Sequence, residues 1–115
     1  MTDSCLFCSI VARDIPADIV YETDGVIAFR DIGPQAPVHI LVIPKRHIPS
    51  LAQAAVEDAE LMGDVLLAVR EVAEREGLAE AGFRTVLNTG DDGGQTVHHL
   101  HAHVLGGRGL GWPPG

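Results

Sequence analysis

The chain is 115 residues long, the size of one compact domain with an adequate but not generous core. Sixteen acidic residues against eight basic ones leave a net charge of −8. That excludes the basic footprint of a nucleic-acid-binding or anionic-membrane surface, and it means a phosphate-bearing ligand has to be attracted locally.

Ser4 is placed to cap a short helix over residues 5–12, and Pro16 then turns the chain. The helix has no basic leader region before it, and no apolar run approaches a membrane span, so a cytoplasmic protein is expected. Residues 18–22 and 26–30 read as strands joined around Thr23-Asp24-Gly25, an Asp-Gly hairpin signal. A loop over 33–37 leads into a buried strand over 38–43 that stops at Pro44. Residues 57–76 form the one long helix. There Leu61, Met62, Val65, Leu66, Val69, Val72 and Ala73 recur at spacings of three and four to make one apolar stripe, and Gly77 ends it. A strand over 83–89, a glycine- and aspartate-rich loop over 90–94 and a last strand over 97–105 follow, before a tail ending Trp-Pro-Pro-Gly. Consecutive strands lie too close for most parallel crossovers. The order predicts an α+β domain, with a mainly antiparallel five-stranded sheet and one long and one short helix packed on it.

The last strand carries His-Leu-His-Ala-His. Side chains alternate along a strand, so His99, His101 and His103 share one face at intervals of roughly 6.6 Å, while Leu100, Ala102 and Val104 face the long helix. His98 falls with the apolar set. Three readings are open: a solvated polar face, a metal site completed from upstream, and nucleophilic catalysis. Only 12 residues follow His103 and none is His, Asp or Glu, so a downstream metal ligand is absent. A neutral imidazole can attack phosphorus when one nitrogen is exposed and the other is fixed by an acceptor, and flanking imidazoles can hold phosphate oxygens or protonate a leaving amine. His39, on a separate strand, can reach the same face. Cys5 and Cys8 form a C-x-x-C, read in a cytosolic chain as metal or redox chemistry before a disulfide framework; buried thiols or a reversible disulfide are the plainer readings.

The segment Gly-Gly-Gln-Thr-Val-His-His-Leu-His-Ala-His-Val-Leu-Gly-Gly-Arg (93–108) resembles the signature of the histidine triad superfamily. The terminal Gly-Trp-Pro-Pro-Gly and the segment 31–48 are similar to its Hint branch, the purine nucleoside phosphoramidases, so the likeness spans nearly the whole chain as a single domain, 1–115. The resemblance implies His101 as the nucleophile, His103 at the phosphate, and His99 and His39 completing the network. The related nucleotidyltransferase branch has Gln where His103 stands, which favours water as the acceptor. Asn88, Gly94, Gln95 and Thr96 match phosphate-binding positions, Thr96 standing where Ser is usual; a glycine-rich turn lets backbone N–H groups approach an anion. Asp31 and Ile32 match ribose and base positions, and Phe7, Ile10 and Phe29 would line the base pocket, although core packing explains these apolar residues equally well.

Trp112, in the tail 109–115, is implied to reach toward the site of a partner subunit in a homodimer; the plainer reading is a tail docked on its own domain. Lys45, Arg46 and Arg108 are the candidate sources of local positive charge. His98 stands where Tyr is frequent and is given no catalytic role. The C-x-x-C resembles a bacterial subset in which two N-terminal cysteines and two histidines, here His47 and His99, hold a structural zinc. The implied activity is hydrolysis of the P–N bond of purine nucleoside phosphoramidates. Hydrolysis of dinucleoside polyphosphates or related nucleotides and a nucleotide-binding regulatory dimer are the alternatives.

Overall fold

The computed structural model describes residues 5–115. Its elements are helix α1 (Leu6–Val11), strands β1 (Ile19–Glu22), β2 (Val26–Arg30) and β3 (Val38–Pro44), helix α2 (Ala59–Arg75), strand β4 (Arg84–Val86), a single helical turn α3 (Gly90–Gly93) and strand β5 (Ala102–Gly106). All pairings are antiparallel and the strand order is β1-β2-β3-β5-β4.

Period-two alternation divides the sheet into two faces. On one, Val26, Ala28, Ile40, Val42, Ala102 and Val104 pack under α2, which contributes Val65, Ala68, Val69, Val72 and Ala73. On the other, Ile27, Phe29, Leu41 and Ile43 pack with Phe7 and Ile10 of α1. Leu41 pairs with both Phe29 and His103, so His103 and His39 belong to the α1 face. The face of His39 and His103 therefore looks away from the long helix and toward the short one.

Several expectations change at their edges. Ser4 lies outside the described residues, and the cap of α1 is Cys5, whose Sγ accepts the Cys8 N–H at 3.3 Å. The long helix starts at Ala59, after a 3-10 turn over Val56–Asp58. Leu66 is exposed, and Ala68 takes the core place that the stripe assigned to it. Gly77, with φ of +74°, ends the helix region as expected. The 90–94 loop is a helical turn closed by Gly94 at φ +82°, and β4 is only three residues long because the chain leaves the ladder to enter that turn.

The largest change is in the histidine strand. Regular pairing begins only at Ala102, so His99 and His101 precede β5 rather than lie on it. The His99 ring turns fully inward and its Nε2–H donates to the Pro44 carbonyl at 2.8 Å. Leu100 N–H donates to the Ile48 carbonyl at 2.7 Å. These commitments draw the backbone out of the ladder, and His98, expected on the apolar side, is exposed to solvent.

Candidate active site

The His101 ring is buried, and its Nδ1 lies 2.7 Å from the His99 carbonyl. A carbonyl only accepts, so the proton sits on Nδ1 and Nε2 keeps its lone pair, with no partner among the described residues. Phe7 packs edge-on against the ring with centroids 5.1 Å apart and restrains its tilt. The His103 ring lies 4.9 Å away.

His39 sets the state of His103. The Gln35 N–H donates to His39 Nδ1 at 3.0 Å, so the His39 proton is on Nε2. That Nε2–H donates to His103 Nδ1 at 2.9 Å, with an Asp31 carboxylate oxygen 3.6 Å to the side. His103 in turn carries its proton on Nε2, which is buried and has no partner among the described residues. It is a donor available to an incoming acceptor beside the His101 lone pair.

Burial holds the three triad imidazoles neutral. It lowers His101 against the opposing His99 carbonyl and Asp31 charge, and it lowers His99 against the Pro44 carbonyl. His103 is held at about 4, first by burial and then by the neighbouring His101 and His39 rings.

An apolar cleft of about 250 Å³ is lined by Phe7, which packs on the His101 ring, and by Leu41, the cross-strand partner of His103. Phe7, Ile10, Phe29 and Leu41 form its floor, with Asp31 and Ile32 at its rim. Asp31 is anchored by the Gly33 N–H at 2.7 Å, and Ile32 is wholly exposed. The residues 15–17, also on the cleft wall, come from an irregular segment whose sequence has no period to announce it; Leu41 was legible from its alternation with His39.

The phosphate-loop candidates separate. Thr96 is exposed and Asn88 half-buried. Gln95 faces inward: its Oε1 accepts the Gly90 N–H at 3.0 Å, and its Nε2 donates to the carbonyls of Pro49 at 2.7 Å and Val97 at 3.0 Å. Its amide is thus spent on holding the turn. The expected local positive charge is also spent. Lys45 pairs with Glu22 at 2.7 Å and Arg46 pairs with Asp58, while Arg108 donates to the Gln35 and Gly109 carbonyls. Trp112 is exposed under the Arg84 guanidinium, 5.9 Å from its ring centroid, and no tail residue lines the cleft.

The donor atoms of Cys5, Cys8, His47 and His99 all lie within 4.8 Å of one another. The His47 and His99 Nδ1 atoms are 3.2 Å apart; Cys5 Sγ is 3.4 Å and Cys8 Sγ 3.5 Å from His99 Nδ1, and Cys8 Sγ is 3.3 Å from His47 Nδ1. Tetrahedral zinc, with bonds of ~2.0–2.1 Å to nitrogen and ~2.3 Å to sulfur, sets N···N at roughly 3.3 Å and N···S at roughly 3.5 Å. The Pro44 bond to Nε2 also leaves the His99 Nδ1 lone pair facing the cluster, so the residues fit the ion. Burial, followed by the adjoining Cys5 thiol, pushes the Cys8 thiol up to about 11 in the metal-free chain. Asp31, His39 and His103 form a second compact group, but there the facing nitrogens are already joined by a hydrogen bond.

The chain belongs to the HIT domain family, whose model matches residues 12–110. It is 48% identical over 111 residues to the purine nucleoside phosphoramidase of Escherichia coli, covering 96% of this chain and 93% of that one. It is 59% identical over the full length of both chains to an uncharacterized HIT-like protein of Synechococcus elongatus. Among solved structures, a HIT family hydrolase of Legionella pneumophila superposes with a TM-score of 0.96 at 48% identity, over 97% of this chain and all of that one.

Proposed function

We propose that this HIT family hydrolase cleaves the P–N bond of purine nucleoside phosphoramidates through a covalent nucleotidyl intermediate on His101. The observation that carries the reading is the pairing of the His101 Nε2 lone pair, fixed by the 2.7 Å bond from Nδ1–H to the His99 carbonyl, with the buried Nε2–H of His103. The E. coli relative's name and the apolar cleft of about 250 Å³ support a purine nucleotide as the group transferred.

In the first step His101 Nε2 attacks phosphorus, the P–N bond breaks, and the amine leaves with a proton taken from solvent water, which the second step returns. The His103 Nε2–H donates to a phosphoryl oxygen as charge builds there. The nucleotidyl-imidazolium keeps its Nδ1–H on the His99 carbonyl. Water then attacks phosphorus, releasing the nucleoside monophosphate and restoring the imidazole. Asp31, at the cleft rim, accepts hydroxyl protons of the ribose.

We also propose that Cys5, Cys8, His47 and His99 hold a structural zinc, which as a tetrahedral centre would tie α1 to the sheet. Two copies would pair as a homodimer, supported by the exposed Leu66 and Leu67 on α2 and the free edge of β4. No helix among the described residues is long and apolar enough to cross a membrane.

The test is a substrate profile that varies the leaving group on AMP, from amines to nucleotides, with intact-mass detection of the adduct. Phosphoramidates are expected to turn over fastest, and a nucleotidyl adduct is expected on wild type but not on His101→Ala. Near-normal turnover by His101→Ala would overturn the mechanism; faster cleavage of dinucleoside polyphosphates would overturn the substrate class.

A further inference from the structure

His99 belongs to two assemblies at once. Its ring offers Nδ1 to the Cys5–Cys8–His47 group. Its main-chain carbonyl, in the same residue, holds the His101 proton that keeps Nε2 free. A second connection runs through Phe7, which sits between the two cysteines in sequence. Its ring meets His99, His101 and Phe29 edge-on, at 5.9, 5.1 and 5.4 Å between centroids, and it lines the apolar cleft. Helix α1 has only six residues, too few to persist alone. Among the described residues its hydrogen bonds stay within its own turn and the residues next to it, except at the cysteines; the Arg13–Glu22 ion pair lies beyond its end.

We propose that the Cys5–Cys8–His47–His99 cluster is a metal-dependent clasp for catalysis. With a divalent transition metal bound, it fixes α1 and His99 together, so that Phe7 walls the base cleft and the His99 carbonyl aims His101. Cys5, Cys8 and His47 are then positioning residues: they never meet substrate, yet they govern both binding and turnover. The inference rests on the hydrolase and zinc readings above and adds the coupling between them.

The experiment compares zinc-loaded wild type, the same protein stripped by a chelator and then reloaded, and Cys8→Ser. Four quantities are measured: metal content, amide hydrogen exchange over residues 6–11, the ¹⁵N ring signature of the His101 Nδ1–H tautomer, and kcat and KM on an AMP phosphoramidate. Loaded wild type is expected to hold about one zinc per chain, and Cys8→Ser about a tenth of that or less. Both metal-poor forms should exchange the α1 amides about tenfold faster or more and lose the single His101 tautomer. Their KM should rise, and their kcat fall, by about fivefold or more. Reloading should reverse every change in wild type and none in Cys8→Ser.

A chain that binds zinc but whose stripped form keeps α1 protection, the tautomer and both kinetic constants within about twofold overturns the clasp and leaves the hydrolase reading intact. A chain that takes up no zinc overturns the clasp and the zinc reading together. Turnover lost without change in the His101 signature or α1 exchange also overturns it. Absence of phosphoramidate turnover in loaded protein defeats the phosphoramidase reading, and the exchange and tautomer measurements then decide the clasp alone.

Discussion

Replacing Gln95 tests how the turn that precedes the histidine run is held. Gln95→Leu keeps the volume and removes three hydrogen bonds, to the Gly90 N–H and to the Pro49 and Val97 carbonyls. At about 1 kcal/mol net each, the loss is roughly 3 kcal/mol. Gly90 is exposed and Pro49 and Val97 are half-buried, so water can satisfy part of what is freed, which brings the loss to ~2–3 kcal/mol. At about 4 °C per kcal/mol for a domain of this size, Tm should fall by roughly 8–12 °C. The turn between Asn88 and Thr96 should lose its register, raising KM by about fivefold with a smaller change in kcat. Gln95→Glu sharpens the test. It keeps an acceptor for Gly90 but places a carboxylate oxygen against two carbonyls, so it should destabilise at least as much as Leu. Thermal denaturation with steady-state kinetics provides the measurement. A Tm within about 2 °C of wild type for both variants, with KM unchanged, would refute the staple.

His39→Gln removes the imidazole that donates to His103 Nδ1 and frees the His103 ring to change tautomer; kcat should fall about tenfold or more with KM within about twofold, and an unchanged kcat would show that His39 does not set His103. Gly106→Ala places a Cβ 2.8 Å from both Cδ atoms of buried Leu78 and should cost about 1–3 kcal/mol in urea unfolding. Gly107→Ala meets Pro37 at 2.8 Å and also sits at φ +91°, so it should cost more than Gly106→Ala; the opposite order would contradict the packing. His103 is depressed to about 4, so between that value and its unfolded value of about 6.5 the unfolded chain binds the extra proton. Its contribution to stability is complete above this window and is lost as pH falls through it. The urea midpoint should therefore be lower at pH 5 than at pH 7.5, and an equal or higher midpoint at pH 5 would contradict the buried neutral state.

The parts of the molecule governed by repeating patterns were readable in the chain. Residues 26–30 and 38–43 read as strands, and in the sheet the strand period brings Ile27, Phe29 and Leu41 onto the face of His39. The His-x-His-x-His spacing singled out His101 and His103, whose rings lie 4.9 Å apart, although His99 and His101 are held by side-chain and backbone bonds outside the ladder. Single residues decided by distant partners were not readable. Gln95 looks like a ligand in its glycine loop, but bonds to Gly90, to Val97 and to Pro49, 46 positions away, spend its amide inside the fold. Lys45 and Arg46 look like free cations until Glu22 and Asp58 fold against them. Leu66 fits the helical stripe by spacing, yet it is exposed while Ala68, outside the stripe as read, is buried.

The irregular backbone before Ala102 also limits where this chemistry can be transplanted. Strand β5 has a neighbour on both sides, so carbonyls within it are directed to cross-strand N–H groups. The His99 carbonyl can grip a side chain only because the ladder has not yet begun. Grafting the five-residue histidine run into a regular central strand of another scaffold would line up the imidazoles but commit that carbonyl elsewhere, and the middle ring would lose what orients it. A working graft must carry the departure from regularity along with the histidines, including acceptors equivalent to Pro44 and Ile48 that draw the backbone aside.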